Sequence, residues 1–62
     1  GGEEVNYVLE GELTYYLEDE VYVLYPGDSI YHPSTIPHGW KNAGSTPAVT
    51  LTVISPPTFV LG

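Results

Sequence analysis

Gly27-Asp28-Ser29-Ile30-Tyr31-His32-Pro33-Ser34-Thr35-Ile36-Pro37-His38-Gly39-Trp40-Lys41-Asn42 is the stretch whose reading decides the fold. Gly27, Pro33, His38 and Asn42 follow one another at offsets of six, five and four residues. The run reads as a turn, a short strand, a second turn, and a strand that carries a histidine inward and ends at an asparagine. Upstream, Glu4 stands seven residues before Gly11 in a strand-like segment. A carboxylate and an imidazole on neighbouring β-strands are how a barrel builds half of a metal site.

Working outward, the whole chain reads as strand and turn. Tyr, Val, Thr and Ile are abundant, and Gly or Pro interrupts every few positions. No window carries a capped helix with a 3.6-residue apolar period. The predicted strands are Glu3–Glu10, Glu12–Leu17, Val21–Tyr25, Ser29–His32, Pro37–Asn42 and Val49–Ser55, with Thr58–Leu61 as a final edge strand. Glu18-Asp19-Glu20 reads as a polar hairpin turn, and Pro26-Gly27-Asp28 as a turn with proline second and glycine third. Short strands at close spacing predict a sandwich or small barrel, with residues 1–62 as a single domain.

A chain of 62 residues is short for a self-sufficient core, since a domain of this size buries only about 60% of its unfolded surface. Without cysteine there is no disulfide to compensate. Oligomerisation, a metal or flanking sequence is expected to supply the difference. Strand Val21–Tyr25 is apolar on both faces, which predicts burial on both sides and hence a homo-oligomer, a dimer at least.

Eight acidic residues against one cation, Lys41, give a net charge of −7. Direct nucleic-acid contact is excluded on this balance, because phosphate contacts need Lys and Arg; an anionic membrane surface is excluded on the same ground. Small neutral or cationic ligands and divalent metals suit the charge. No apolar run reaches membrane-spanning length and no basic-then-apolar leader is present, so a cytoplasmic location is expected.

Strand alternation puts Glu4, Asn6 and Val8 on one face of the first strand, Ile30 and His32 on one face of the fourth, and His38, Trp40 and Asn42 together on the fifth. If Glu4 and His38 point into a barrel, then Asn6, Tyr15, Ile30, His32 and Trp40 line the same small-ligand pocket, an apolar body with a few polar groups.

These residues resemble the cupin superfamily. Its second motif is matched by Gly27, Pro33, His38 and Asn42, with Thr35 in place of the usual middle glycine. Its first motif is matched only at its end, by Glu4 and Gly11; the two histidines that open it would fall ahead of Gly1. The resemblance implies an all-β cupin-type double-stranded β-helix, or jelly-roll barrel, of about six to eight strands, incomplete in a chain of this length and often dimeric. It also implies a divalent transition metal (Fe, Mn, Ni, Zn or Cu) held by histidines and a glutamate. Carried over by position, Glu4 is the carboxylate ligand and His38 the second-motif histidine. His32 shares the parity of His38 and offers a third nitrogen.

Each of these residues also has a plainer reading. Glu4 reads equally as an exposed terminal charge, His32 as a polar strand end before proline, and Trp40 and Tyr15 as core or interface aromatics. Three functions remain open: a metal-dependent oxygenase, isomerase or lyase acting on a small molecule; a non-catalytic ligand-sensing or structural module, such as the sensor domain of a transcriptional regulator; or a minimal barrel completed by a second chain.

Overall fold

The computed structural model describes residues 2–56; the predicted strand Thr58–Leu61 lies outside them. The described residues form six strands and no helix: β1 (Glu3–Glu10), β2 (Leu13–Leu17), β3 (Glu20–Leu24), β4 (Ser29–Pro33), β5 (His38–Lys41) and β6 (Val49–Ser55). All pairings are antiparallel, and they build two three-stranded sheets, β4-β1-β6 and β3-β2-β5.

The turns follow from the residues that make them. Tyr25 to Asp28 closes with an i to i+3 hydrogen bond, Asp28 N–H donating to Tyr25 C=O at 2.9 Å, and the Asp28 carboxylate accepts from Tyr25 N–H at 2.8 Å. Gly27 takes φ +94° at the third position, the left-handed conformation that such a turn demands. The predicted Glu18–Glu20 turn tightens by one residue. Leu17 pairs directly with Glu20, leaving Glu18-Asp19 as a two-residue loop with Glu18 at φ +51°. The other predicted bounds move by a residue at β2, β3, β4 and both ends of β5, because local propensity fixes a strand's middle better than its ends.

Alternation then sets the interior. On the first sheet the inward rows are His32–Glu4–Ile54 and Ile30–Asn6–Thr52. On the second they are Leu17 beside His38, and Tyr22–Tyr15–Trp40. Val8, Leu13, Tyr15 and Leu24 form the buried apolar cluster, with Ile30 and Ala48 packed against it.

The expected two-sided burial of β3 does not occur within one chain. Val21, Tyr22 and Val23 are exposed, and only Leu24 of this strand is buried. The reason is position: β3 is a sheet edge, so nothing in the described chain covers its flank. β6, an edge of the other sheet, is exposed along its whole length.

Candidate metal centre

Glu4, His32 and His38 converge although they come from three strands and both sheets. Glu4 and His32 are direct cross-strand partners on β1 and β4, so their side chains leave the same face side by side. His38 opens β5, opposite Leu17 on the other sheet. One ligand-type atom from each of the three lies within 4.8 Å of the others.

Glu4 and His32 are almost fully buried, at 7% and 2% exposure. The His38 residue is exposed at its strand end, but its side chain is only 22% exposed.

Backbone carbonyls aim both imidazoles. Nδ1 of His32 lies 2.8 Å from the Pro33 C=O, and Nδ1 of His38 lies 2.7 Å from the Ile36 C=O. A carbonyl only accepts, so each Nδ1 carries a proton and each Nε2 is turned into the site. His38 Nε2 faces Glu4 Oε1 at 3.3 Å. His32 Nε2 lies 2.6 Å from the Tyr15 hydroxyl, which donates to it.

Asn6 ties the set together. Its amide nitrogen donates to Glu4 Oε2 at 3.2 Å and to the Tyr15 hydroxyl at 3.0 Å, while its oxygen accepts from Thr52 Oγ1 at 2.6 Å. Both amide hydrogens and the amide oxygen are engaged, which fixes the amide's orientation. The Tyr15 ring is fully buried. It lies nearly parallel to the His38 and Trp40 rings, at centroid distances of 6.3 and 6.1 Å.

Burial, and secondarily the Glu4 carboxylate, push the Tyr15 hydroxyl up to about 12 from its ordinary 10.0. Because the fold favours the neutral phenol, this contribution to stability is complete below pH 10. It is lost as pH rises toward 12, where the unfolded chain ionises first. Chemical denaturation across that window is expected to show stability falling by up to about 1.4 kcal/mol per pH unit, and less in Tyr15→Phe.

The residues predicted from sequence therefore fall into three groups. Glu4, His32 and His38 come together, with Asn6 and Tyr15 hydrogen-bonded among them. Ile30 is half-buried against the apolar cluster instead of lining an open cavity. Trp40 is 58% exposed, because β5 is a sheet edge. A shallow groove elsewhere on the surface is lined by Gly2, Glu3, Pro33, Thr35, Ser55 and Pro56. Asn42, the last motif position, serves the following turn: its amide donates to Thr46 C=O and its oxygen accepts from Gly44 N–H.

Thr52 was not singled out from sequence. Its signal was the alternation in Val49–Ser55, which puts Thr50 and Thr52 on one face and Val49, Leu51 and Val53 on the other. An inward polar face is unusual on a strand.

Two antiparallel sheets with a histidine–carboxylate cluster on their facing surfaces define a small, incomplete all-β barrel. The chain belongs to the cupin domain family, whose model matches residues 1–54. It is 46% identical over 55 residues to an uncharacterized protein of Archaeoglobus fulgidus, an alignment covering 89% of this chain and 52% of that protein. It is 38% identical over 55 residues to an uncharacterized protein of Methanocaldococcus jannaschii, covering 89% and 44% respectively. The chain thus spans about half the length of the curated relatives it matches. No solved structure matches it. Among the described residues, no helix is long and apolar enough to cross a membrane.

Proposed function

We propose that this domain binds one divalent transition metal through Glu4, His38 and His32. One observation carries the reading. His38 has its Nδ1 committed to a carbonyl while its Nε2 faces a carboxylate oxygen at 3.3 Å. Two lone pairs held that close repel unless a cation or a proton lies between them.

The donor set suits a cation. Two imidazoles and one carboxylate are a ligand combination used by Zn, Fe, Ni and Cu. Each imidazole has the hydrogen-bonded Nδ1 that metal-binding histidines ordinarily show. When bound, such an ion supplies Lewis-acid or redox chemistry. Asn6 holds the Glu4 carboxylate in place, and Thr52 holds Asn6.

The test is equilibrium dialysis of tag-free protein against Zn²⁺, Ni²⁺ and Mn²⁺. About one ion per chain supports the reading. No bound ion with any of the three returns the Glu4–His38 contact to an ion pair with a protonated imidazole.

A small molecule is the proposed ligand of the loaded site, with oxygenase, isomerase or lyase chemistry as its activity and the cytoplasm as its location. The second reading is a non-catalytic ligand-sensing or structural module of a transcriptional regulator. It is favoured by the fully buried Tyr15 ring, which fills the interior beside the triad. Ligand binding without turnover in the metal-loaded protein separates the two.

For assembly, we propose a homo-oligomer joined along β6. Edge strands are ordinarily guarded by charge or proline. β3 carries Glu20, β4 carries Pro33 and β5 carries Lys41, whereas Val49–Ser55 carries neither a charge nor a proline. All eight acids lie at or before Asp28, so the β6 edge is where a second copy meets little like charge. An antiparallel β6–β6 pair centred on Thr52 sets Leu51 opposite Val53 of its partner. These residues are 55% and 53% exposed in the single chain and continuous with Tyr7 and Tyr31 on the outer face. Sedimentation at micromolar concentration is expected to show a dimer or larger species for wild type and a monomer for Val53→Lys. A monomeric wild type overturns the proposal.

A further inference from the structure

The three candidate ligands are not equally available. Glu4 Oε1 and His38 Nε2 face each other with no other partner. The His32 Nε2 lone pair, by contrast, is occupied by the Tyr15 hydroxyl at 2.6 Å, the shortest contact in the cluster besides Thr52 to Asn6. Tyr15 is held in that position. Its ring is fully buried, and its hydroxyl accepts from Asn6, whose remaining groups are tied to Glu4 and Thr52. Donation from Asn6 leaves the phenolic proton directed at His32, the one acceptor within reach that needs it.

We propose that Tyr15 is a clamp that withholds His32 from the ion, so that only a metal with a strong preference for nitrogen completes the three-ligand site. The proposal rests on the metal-binding reading above. An arriving ion first meets the open Glu4–His38 pair. To gain the third ligand it must displace the Tyr15 hydroxyl from His32 Nε2, and the phenol keeps its proton but loses that hydrogen bond. An ion such as Mg²⁺, which takes oxygen ligands and keeps its waters, gains little from that exchange. Ni²⁺, Cu²⁺ and Zn²⁺ gain an imidazole bond that outweighs a hydrogen bond. Selectivity then comes from a competing side chain within the cluster and not from the ligands alone.

The clamp predicts a gain of affinity from a deletion. Tag-free wild type and Tyr15→Phe are titrated calorimetrically with Ni²⁺ and, separately, with Mg²⁺. Removing the hydroxyl frees His32, so Ni²⁺ is expected to bind about three- to tenfold more tightly, the equivalent of one net hydrogen bond. Mg²⁺ binding stays unchanged, and a role confined to packing would not separate the two ions. If wild type binds Ni²⁺ and Tyr15→Phe binds it equally well, Tyr15 is structural and the clamp is overturned while the metal site stands. If Tyr15→Phe binds more weakly, Tyr15 is itself a ligand, and the clamp is again overturned. If neither protein binds Ni²⁺, the metal reading falls and takes the clamp with it.

A measurement on wild type alone covers the case in which Tyr15→Phe does not fold. In imidazole ¹H–¹⁵N spectra, saturation with diamagnetic Zn²⁺ is expected to remove the signature of the Tyr15–His32 hydrogen bond. Its persistence beside a bound ion contradicts displacement.

Discussion

His38→Ala is expected to abolish stoichiometric binding of Ni²⁺ or Zn²⁺, lowering affinity at least about a hundredfold. Losing even a residue that only hydrogen-bonds to a metal ligand costs roughly ten- to a hundredfold, and His38 is proposed as a direct ligand. It is also the only imidazole of the set whose Nε2 is free of a neutral donor. Its loss leaves Glu4 and a His32 already engaged by Tyr15, and two ligands seldom hold a transition metal firmly. His32→Ala is expected to cost less, because part of what His32 offers is spent in displacing the tyrosine. Equilibrium dialysis gives the affinities, and melting of the metal-free proteins gives the control. The metal-free fold should tolerate His38→Ala within about 1 kcal/mol, since this partly exposed side chain makes one polar contact with Glu4 and one with a backbone carbonyl, beside its ring contacts with Tyr15 and His32. An alanine variant that retains one tight ion per chain excludes His38 as a ligand.

Gly11→Ala is expected to remove cooperative folding at 37 °C. Gly11 has φ +81°, and a Cβ placed there would lie 2.5 Å from the Pro47 carbonyl oxygen and 2.8 Å from Ala48 Cα. Both are backbone atoms at the approach to β6, so no side chain can swing aside. The left-handed conformation alone costs an alanine about 1–2 kcal/mol, and the clash adds to it. A domain of this length has roughly 3–9 kcal/mol of stability in total, so the change takes a large share.

The other glycines make the contrast. Nothing lies within 4 Å of a Cβ built on Gly27, but φ is +94°, so Gly27→Ala should cost only the conformational term. Gly39 has open space and no positive φ, and Gly39→Ala should fall within about 0.5 kcal/mol of wild type. Urea melts of the three variants test the order. A Gly11→Ala melt matching wild type would mean that the β1–β2 bend and the Pro47–Ala48 segment are not in the contact described.

Parts of this geometry were legible in the sequence for physical reasons. The period of two on β1 sorts Glu4, Asn6 and Val8 onto one face whatever the partner strands are. The Pro-Gly-Asp run admits few turns, and the one it adopts follows from the residues themselves. Contacts between the sheets were not legible. Alternation shows that Tyr15 and His32 both point inward, but not that the hydroxyl of one ends 2.6 Å from the ring nitrogen of the other. That distance depends on how two twisted sheets stack. The exposure of Trp40 was hidden for a related reason: parity aims it inward, and edge position leaves it uncovered. Thr52 pairs with Asn6 only because β6 adds to β1 in this register, and 46 residues of chain separate the two.

Glu4 and His32 stand on one sheet and His38 on the other. An ion held by all three would be a cross-link through the middle of a protein that has no disulfide. Stability would then depend on free metal by mass action, rising by about 2.7 kcal/mol when the ion stands at a hundred times its dissociation constant. For a fold with roughly 3–9 kcal/mol of stability in total, that increment is a large share. Withdrawing the ion would therefore loosen the two sheets from each other, and the lifetime of the domain would report metal supply.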